Sequence, residues 1–217
     1  MRVLALDLEG SSCRGVHADR ITVKHGLSAG AGFHAKGRFY LPSARVGGDL
    51  NLQGASLDSE HGWASLLVDG ARIDGRLYLR SVKHHKFTAL NGIHAQGVVV
   101  GGNVRCDGAE LCQEVNLTRA RISGSLMLQS ATIGGAFTAQ GIQVDGDTSF
   151  WKARINGPSL SLRQARVNGS LVWRAVKRQI IPRPTLQIDL RQAHVGYLDD
   201  AAQDWREPAA EVRRFRL

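Results

Sequence analysis

The sequence predicts an all-β protein, a parallel, right-handed β-helix solenoid of about 22 residues per coil. Three observations carry that expectation. Glycines recur at Gly124, Gly135, Gly146, Gly157 and Gly169, with spacings of 11, 11, 11 and 12. Apolar residues around them alternate with a period of two, the pattern of a strand and not of a helix. Each apolar run is too short to stand alone, so it needs copies of itself stacked above and below, about 4.8 Å away.

Taken along the chain, Met1 to Leu8 alternates and is interrupted by charge, so it is read as extended chain and not as a secretory leader. Gly37 stands one such step before Gly48, with Phe33, Ala35, Phe39 and Leu41 in the apolar slots. The unit is clearer in Ala44-Arg45-Val46-Gly47-Gly48-Asp49-Leu50-Asn51-Leu52 and in Ala71-Arg72-Ile73-Asp74-Gly75-Arg76-Leu77-Tyr78-Leu79. Between and after these, 56–70 and 81–91 break the pattern and are read as excursions, the first carrying Trp63 and the second Lys83-His84-His85-Lys86. Trp63 either caps the core edge or meets a partner.

From Ala120 the unit A-x-I-x-G-x-L-x-L is regular. Ile122, Ile133, Val144, Ile155 and Val167 precede the glycines by two. Pairs such as Leu126 and Leu128, Phe137 and Ala139, and Leu171 and Trp173 follow them. The one longer step falls at Pro158. Two units close one coil with four faces, which gives roughly eight coils and about 40 Å of stack. Glycine at the corners is expected to supply the freedom for the bend. A third excursion, 175–184, precedes a last pass through Leu186, Ile188, Leu190, Ala193 and Val195. The solenoid is thus expected over 1–198, with 199–217 as a terminal cap or tail.

Composition narrows the function. The chain has 217 residues, 43% of them apolar, with 25 glycines and only 6% aromatics, so an aliphatic core is expected and disorder is not. The net charge of +9 suits acidic partners, nucleic acid or an anionic membrane surface, but no long basic block accompanies it. Cys13, Cys106 and Cys112 form no C-x-x-C pair. No apolar run reaches the roughly 18 residues of a membrane span. The expectation is a reduced, cytoplasmic protein without cofactor or transmembrane segment.

Outward positions on stacked coils form columns. One is expected to hold Asn103, Ser125, Asp147 and Ser170 facing solvent. The candidate anion-binding residues are Arg45, Arg72, Arg121 and Arg166 in a common slot, with Arg154 on the opposite side; such a row suits phosphates at regular intervals. Val16-His17-Ala18, Phe33-His34-Ala35 and Ile93-His94-Ala95 put their histidines outside, too dispersed for a metal. Cys106 is expected inward and Cys112 outward. Asp145 and Asp147 are the one close carboxylate pair, readable as a glycosidase-like cluster or as turn chemistry. No catalytic or metal residues are assigned.

The whole chain resembles a family of bacterial A-x-I-x-G-x-L-x-L repeat proteins often labelled oxidoreductase or membrane-associated oxidoreductase. Ile188-Asp189-Leu190-Arg191-Gln192-Ala193-His194-Val195-Gly196-Tyr197-Leu198-Asp199-Asp200, followed by Trp205 and Pro208, is similar to that family's closing coil and Trp-Pro motif. Members continue further, so the resemblance implies a shortened relative or a fragment. It is distantly similar also to pentapeptide-repeat β-helices, some of which imitate DNA with acidic surfaces, a role from which this basic chain departs. The resemblance implies the fold. No dinucleotide fingerprint, haem motif or redox cysteine pair supports oxidoreductase chemistry. The expected function is a non-catalytic scaffold or protein-interaction module, self-association included. The alternatives are binding of nucleic acid or an anionic surface through the arginines, and a carbohydrate-active enzyme.

Overall fold

The computed structural model of the protein describes residues 1–59, 62–178, 186–205 and 210–213, with backbone alone for 202, 205 and 210–213. It is an all-β solenoid of about eight coils. Each complete regular coil carries four short strands, one per face. In the third coil they are Arg45–Val46, Leu50–Asn51, Ser56–Leu57 and Leu66–Leu67. Every pairing between these strands and the coils above and below is parallel, as stacking of equivalent positions requires.

Register on the first face runs Arg2, Thr22, Arg45, Arg72, Val99, Arg121, Gln143, Arg166 and His194. Val99 is thus followed by Arg121 and Arg121 by Gln143, each a step of 22, as the repeat predicts. Arg45 is followed by Arg72 and Arg72 by Val99, each a step of 27. The added residues form two excursions, both narrower than the spans read from the pattern. Ser56–Leu57 and Leu66–Leu67 are strands, so the first departure lies between them. The second is a turn in which Val82 and His85 bridge antiparallel, and Thr88–Ala89 already belongs to the third face.

Toward the end, Arg166–Trp173 runs through two faces as one strand, and Lys177 still bridges Arg154 on the third face. Pro182, Arg183, Pro184 and Pro208 lie outside the described residues. Register is not lost at Leu198: Asp199 and Asp200 pair with Val172 and Trp173, and Ala210–Arg213 pairs parallel with Leu186–Asp189. Coil geometry thus extends into the segment expected to be a cap, with a 3-10 turn, Ala202–Trp205, between.

The interior is one aliphatic column system. Ile122, Ile133, Val144, Ile155 and Val167 are all buried, as are the alanines or isoleucine two positions before them. Small residues face large ones: Phe137 and Phe150 meet edge to face at 5.5 Å, and Phe150 continues to Trp173 one coil on, while Ala139 and Ala153 supply the room.

At the corner between the first and second faces the glycines are there for a reason other than bending. Gly124, Gly146 and Gly169 do not adopt positive φ; that conformation falls at other corners, on glycines such as Gly54, Gly70, Gly97 and Gly141 and on non-glycine residues such as Arg20, Ser43, Arg119, Gln164 and Gln192. What forbids a side chain at the glycine column is space. A Cβ on Gly124 would stand 2.1 Å from Asn103 Oδ1, one on Gly146 2.4 Å from Ser125 Oγ, and one on Gly169 2.4 Å from Asp147 Oδ1.

Those oxygens belong to the column expected to face solvent. Instead each turns to the next coil's backbone: Asn103 Oδ1 accepts the Ser125 N–H at 2.9 Å, Ser125 Oγ accepts the Asp147 N–H at 3.0 Å, and Asp147 Oδ1 accepts the Ser170 N–H at 2.7 Å. Asp49 Oδ1 does the same for the Arg76 N–H at 2.7 Å. Backbone donors at a corner have no ladder partner, so a short polar side chain below them supplies one.

Candidate interaction groove on the fourth face

The outward column of the fourth face begins His17, Tyr40, Leu67, His94 and Asn116. Ahead of the last four, at the corner where each strand begins, stand Arg38, Ser65, Gly92 and Glu114 in successive coils. Small residues at the two middle positions leave a trough between two charged ends. Three coil spacings make it about 14 Å long. Gly92 is obligatory: its φ is +88°, and a Cβ there would lie 2.2 Å from the Glu114 carbonyl oxygen.

Gly62, Trp63 and Ala64 of the first excursion wall this trough. The base of the excursion is pinned by Asn91, whose N–H donates to Ser65 Oγ at 2.9 Å and whose Nδ2 donates to the Ser59 carbonyl. Ser59 and Ser65 are buried, so the excursion leaves and re-enters the coil at fixed points. Trp63 is carried beyond them and stays 58% exposed. It does not cap the core edge. The Arg38 guanidinium rests against its ring at 4.8 Å and against Tyr40 at 4.7 Å, and His17 stacks on Tyr40. Trp63, Leu67, Asn91, His94, Gln113 and Glu114 complete a groove of about 590 Å³ with Arg38.

Electrostatically the groove is uneven. Arg38 Nε is enclosed and has no acceptor among the described residues, and no described carboxylate pairs with Arg38. An enclosed donor without a partner forfeits its hydration, which costs about 1–3 kcal/mol. The Arg38 guanidinium thus brings the groove a positive charge that no described carboxylate offsets.

The arginines singled out from the sequence lie elsewhere. Arg45, Arg72, Arg121 and Arg166 share the first-face column, interrupted by Val99 and Gln143. Arg154 is on the third face, beside Lys177. Arg72 Nε donates to Asp74 Oδ1 at 2.8 Å, which offsets one of these charges. Lys24 shares its place beside the column with Asp74 and Asp145 in later coils, and Arg20 lies 3.9 Å from Asp19, so both signs of charge occur on this side.

Asp145 and Asp147 do not converge. Asp145 Oδ1 accepts from Asn168 Nδ2 at 3.2 Å on the exposed face, while Asp147 is committed to the corner backbone. Asp147 thus serves the corner backbone, and Asp145 a side-chain amide of the next coil. Cys106 is buried, and burial, reinforced by the Asp107 charge, pushes its thiol up to about 12, so it is held protonated. Cys112 is exposed on another face, its thiol raised by partial burial and then by Glu110. No group of three metal-ligating side chains occurs among the described residues, and none of their helices is long and apolar enough to cross a membrane.

Sequence reasoning found Trp63 and the outward His17 and His94 but not Arg38, Tyr40, Asn91 or Glu114. The usable signal was Gly92, which departs from the glycine spacing of the repeat. No family model matches the chain, and a search of curated proteins finds no relative.

Proposed function

We propose that this chain is a non-catalytic β-helical scaffold that docks another protein on its fourth face, at the groove beside Trp63. The observation that carries this reading is a tryptophan left 58% exposed on a rigid coil and held by an arginine stacked on its ring. Tryptophan, tyrosine and arginine together are the residues that dominate binding energy at protein interfaces. A shallow groove on stacked strands suits a large contact better than a reaction that must exclude water. The free cysteines fit a reducing compartment such as the cytoplasm.

The test is cross-linking in native cells with wild-type, Trp63→Ala and Arg121→Glu/Arg166→Glu chains. The reading expects a partner captured by wild type and by the charge-reversed chain but lost with Trp63→Ala. Capture that is indifferent to Trp63→Ala overturns it.

A second reading, favoured by the first-face register, is binding of nucleic acid or an anionic membrane surface through Arg45, Arg72, Arg121 and Arg166. It expects affinity for duplex DNA or anionic vesicles to fall roughly a hundredfold between about 50 and about 200 mM salt when all four cations engage. Arg154, on another face, is expected to contribute nothing to that contact.

A further inference from the structure

We infer that the fourth-face groove recognises an acidic peptide segment, one that places a carboxylate on Arg38 and an apolar side chain against Trp63 and Leu67. The inference rests on the docking reading above and names the chemistry of the partner.

The carboxylate follows from Arg38. No described carboxylate pairs with its guanidinium, and two aromatic rings lie against it. All guanidinium donors lie in the plane of the group, so ring stacking leaves them available at the edge, where a carboxylate bonds two at once. Stacking also removes freedom from a long side chain before any ligand arrives. The apolar side chain follows from the exposed Trp63 and the half-buried Leu67.

Polarity sets direction. Glu114 closes the far end, three coils from Arg38, and repels a second acid there. At about 3.3 Å per residue the trough holds about four extended residues. An acid is thus favoured at the Arg38 end and disfavoured at the other. The side-chain amides of Asn91 and Gln113 stand along the length, where they meet the backbone of an extended segment; Leu66–Leu67 and Ile93–His94 beneath the groove are already paired on both sides.

The probe is a fluorescein-tagged peptide of alternating leucine and aspartate, compared by fluorescence anisotropy with its asparagine counterpart and with a short polygalacturonate competitor. The expected result is that the aspartate peptide binds about tenfold or more tightly than the asparagine one. Arg38→Gln abolishes that difference, Arg38→Lys restores part of it, and Glu114→Gln tightens binding of the aspartate peptide. Unchanged unfolding midpoints show that the variants are folded. Equal affinity for the two peptides, indifference to Arg38→Gln, or preferential binding of polygalacturonate overturns the inference. If both peptides fail while the cellular partner is still lost with Trp63→Ala, the docking reading stands and the acidic-peptide assignment falls. If the partner is also insensitive to Trp63→Ala, both fall.

Discussion

From Val99 to Ala165 each coil repeats the last at a step of 22 or 23, and the outer surface is a set of straight columns. From Arg45 to Val98 the step is 27, and the same four faces carry two excursions. The interiors of the two stretches are both mainly aliphatic and alanine, with Phe87 in one and Phe137, Phe150 and Thr148 in the other. Corner side chains bond the next coil in both, at Asp49 as at Asn103 and Ser125. The difference is outside, where Trp63 and Asn91 help build a groove of about 590 Å³, against about 340 Å³ for the cavity beside Trp151 on the regular coils. A repeat under steric control of its glycines has little room for anything else, so insertions are where new chemistry enters.

Substitutions can break that contrast. The largest effect is expected from Gly157→Ala, whose Cβ would stand 1.7 Å from the Gly135 carbonyl oxygen. The loss is about 3 kcal/mol, the upper range for overpacking, read from the urea midpoint. Next comes Asp147→Ala, which leaves the Ser170 N–H without its acceptor and costs about 1–2 kcal/mol. Gly97→Ala in the excursion-bearing stretch sharpens the comparison. Gly97 has positive φ but nothing within 4 Å of a Cβ, so only the conformational cost of about 1 kcal/mol is expected. Gly157→Ala no worse than Gly97→Ala would sink the steric account at the Gly135–Gly157 corner. Smallest is Trp63→Ala, below about 0.5 kcal/mol, because its exposed ring contributes little to the core. A larger loss would make the excursion part of the fold's support.

The solenoid was legible because a short period repeated many times is hard to produce otherwise: Gly124 to Gly169 and the flanking alternation specify both the strands and their burial. The purpose of those glycines was not legible. Their spacing is compatible with bending or with close approach, and it is their φ values and the atoms one coil below, Asn103, Ser125 and Asp147 at one corner and the Gln113 and Gly135 backbone at another, that distinguish them. The groove was less legible still. Arg38, Ser65, Gly92 and Glu114 are neighbours only once the longer coils are aligned, and the excursions conceal that spacing. Trp63 stood out by its type, but its companion Arg38 sits in an unremarkable position beside Phe39.

The corner hydrogen bonds also have a sense of direction. At Asp49, Asn103, Ser125 and Asp147 the acceptor always belongs to the earlier coil and the donor to the later one. A ribosome delivers the earlier coil first. Each of these four turns therefore already displays the oxygen that the incoming turn must find, and at those corners assembly can follow synthesis without waiting for the far end.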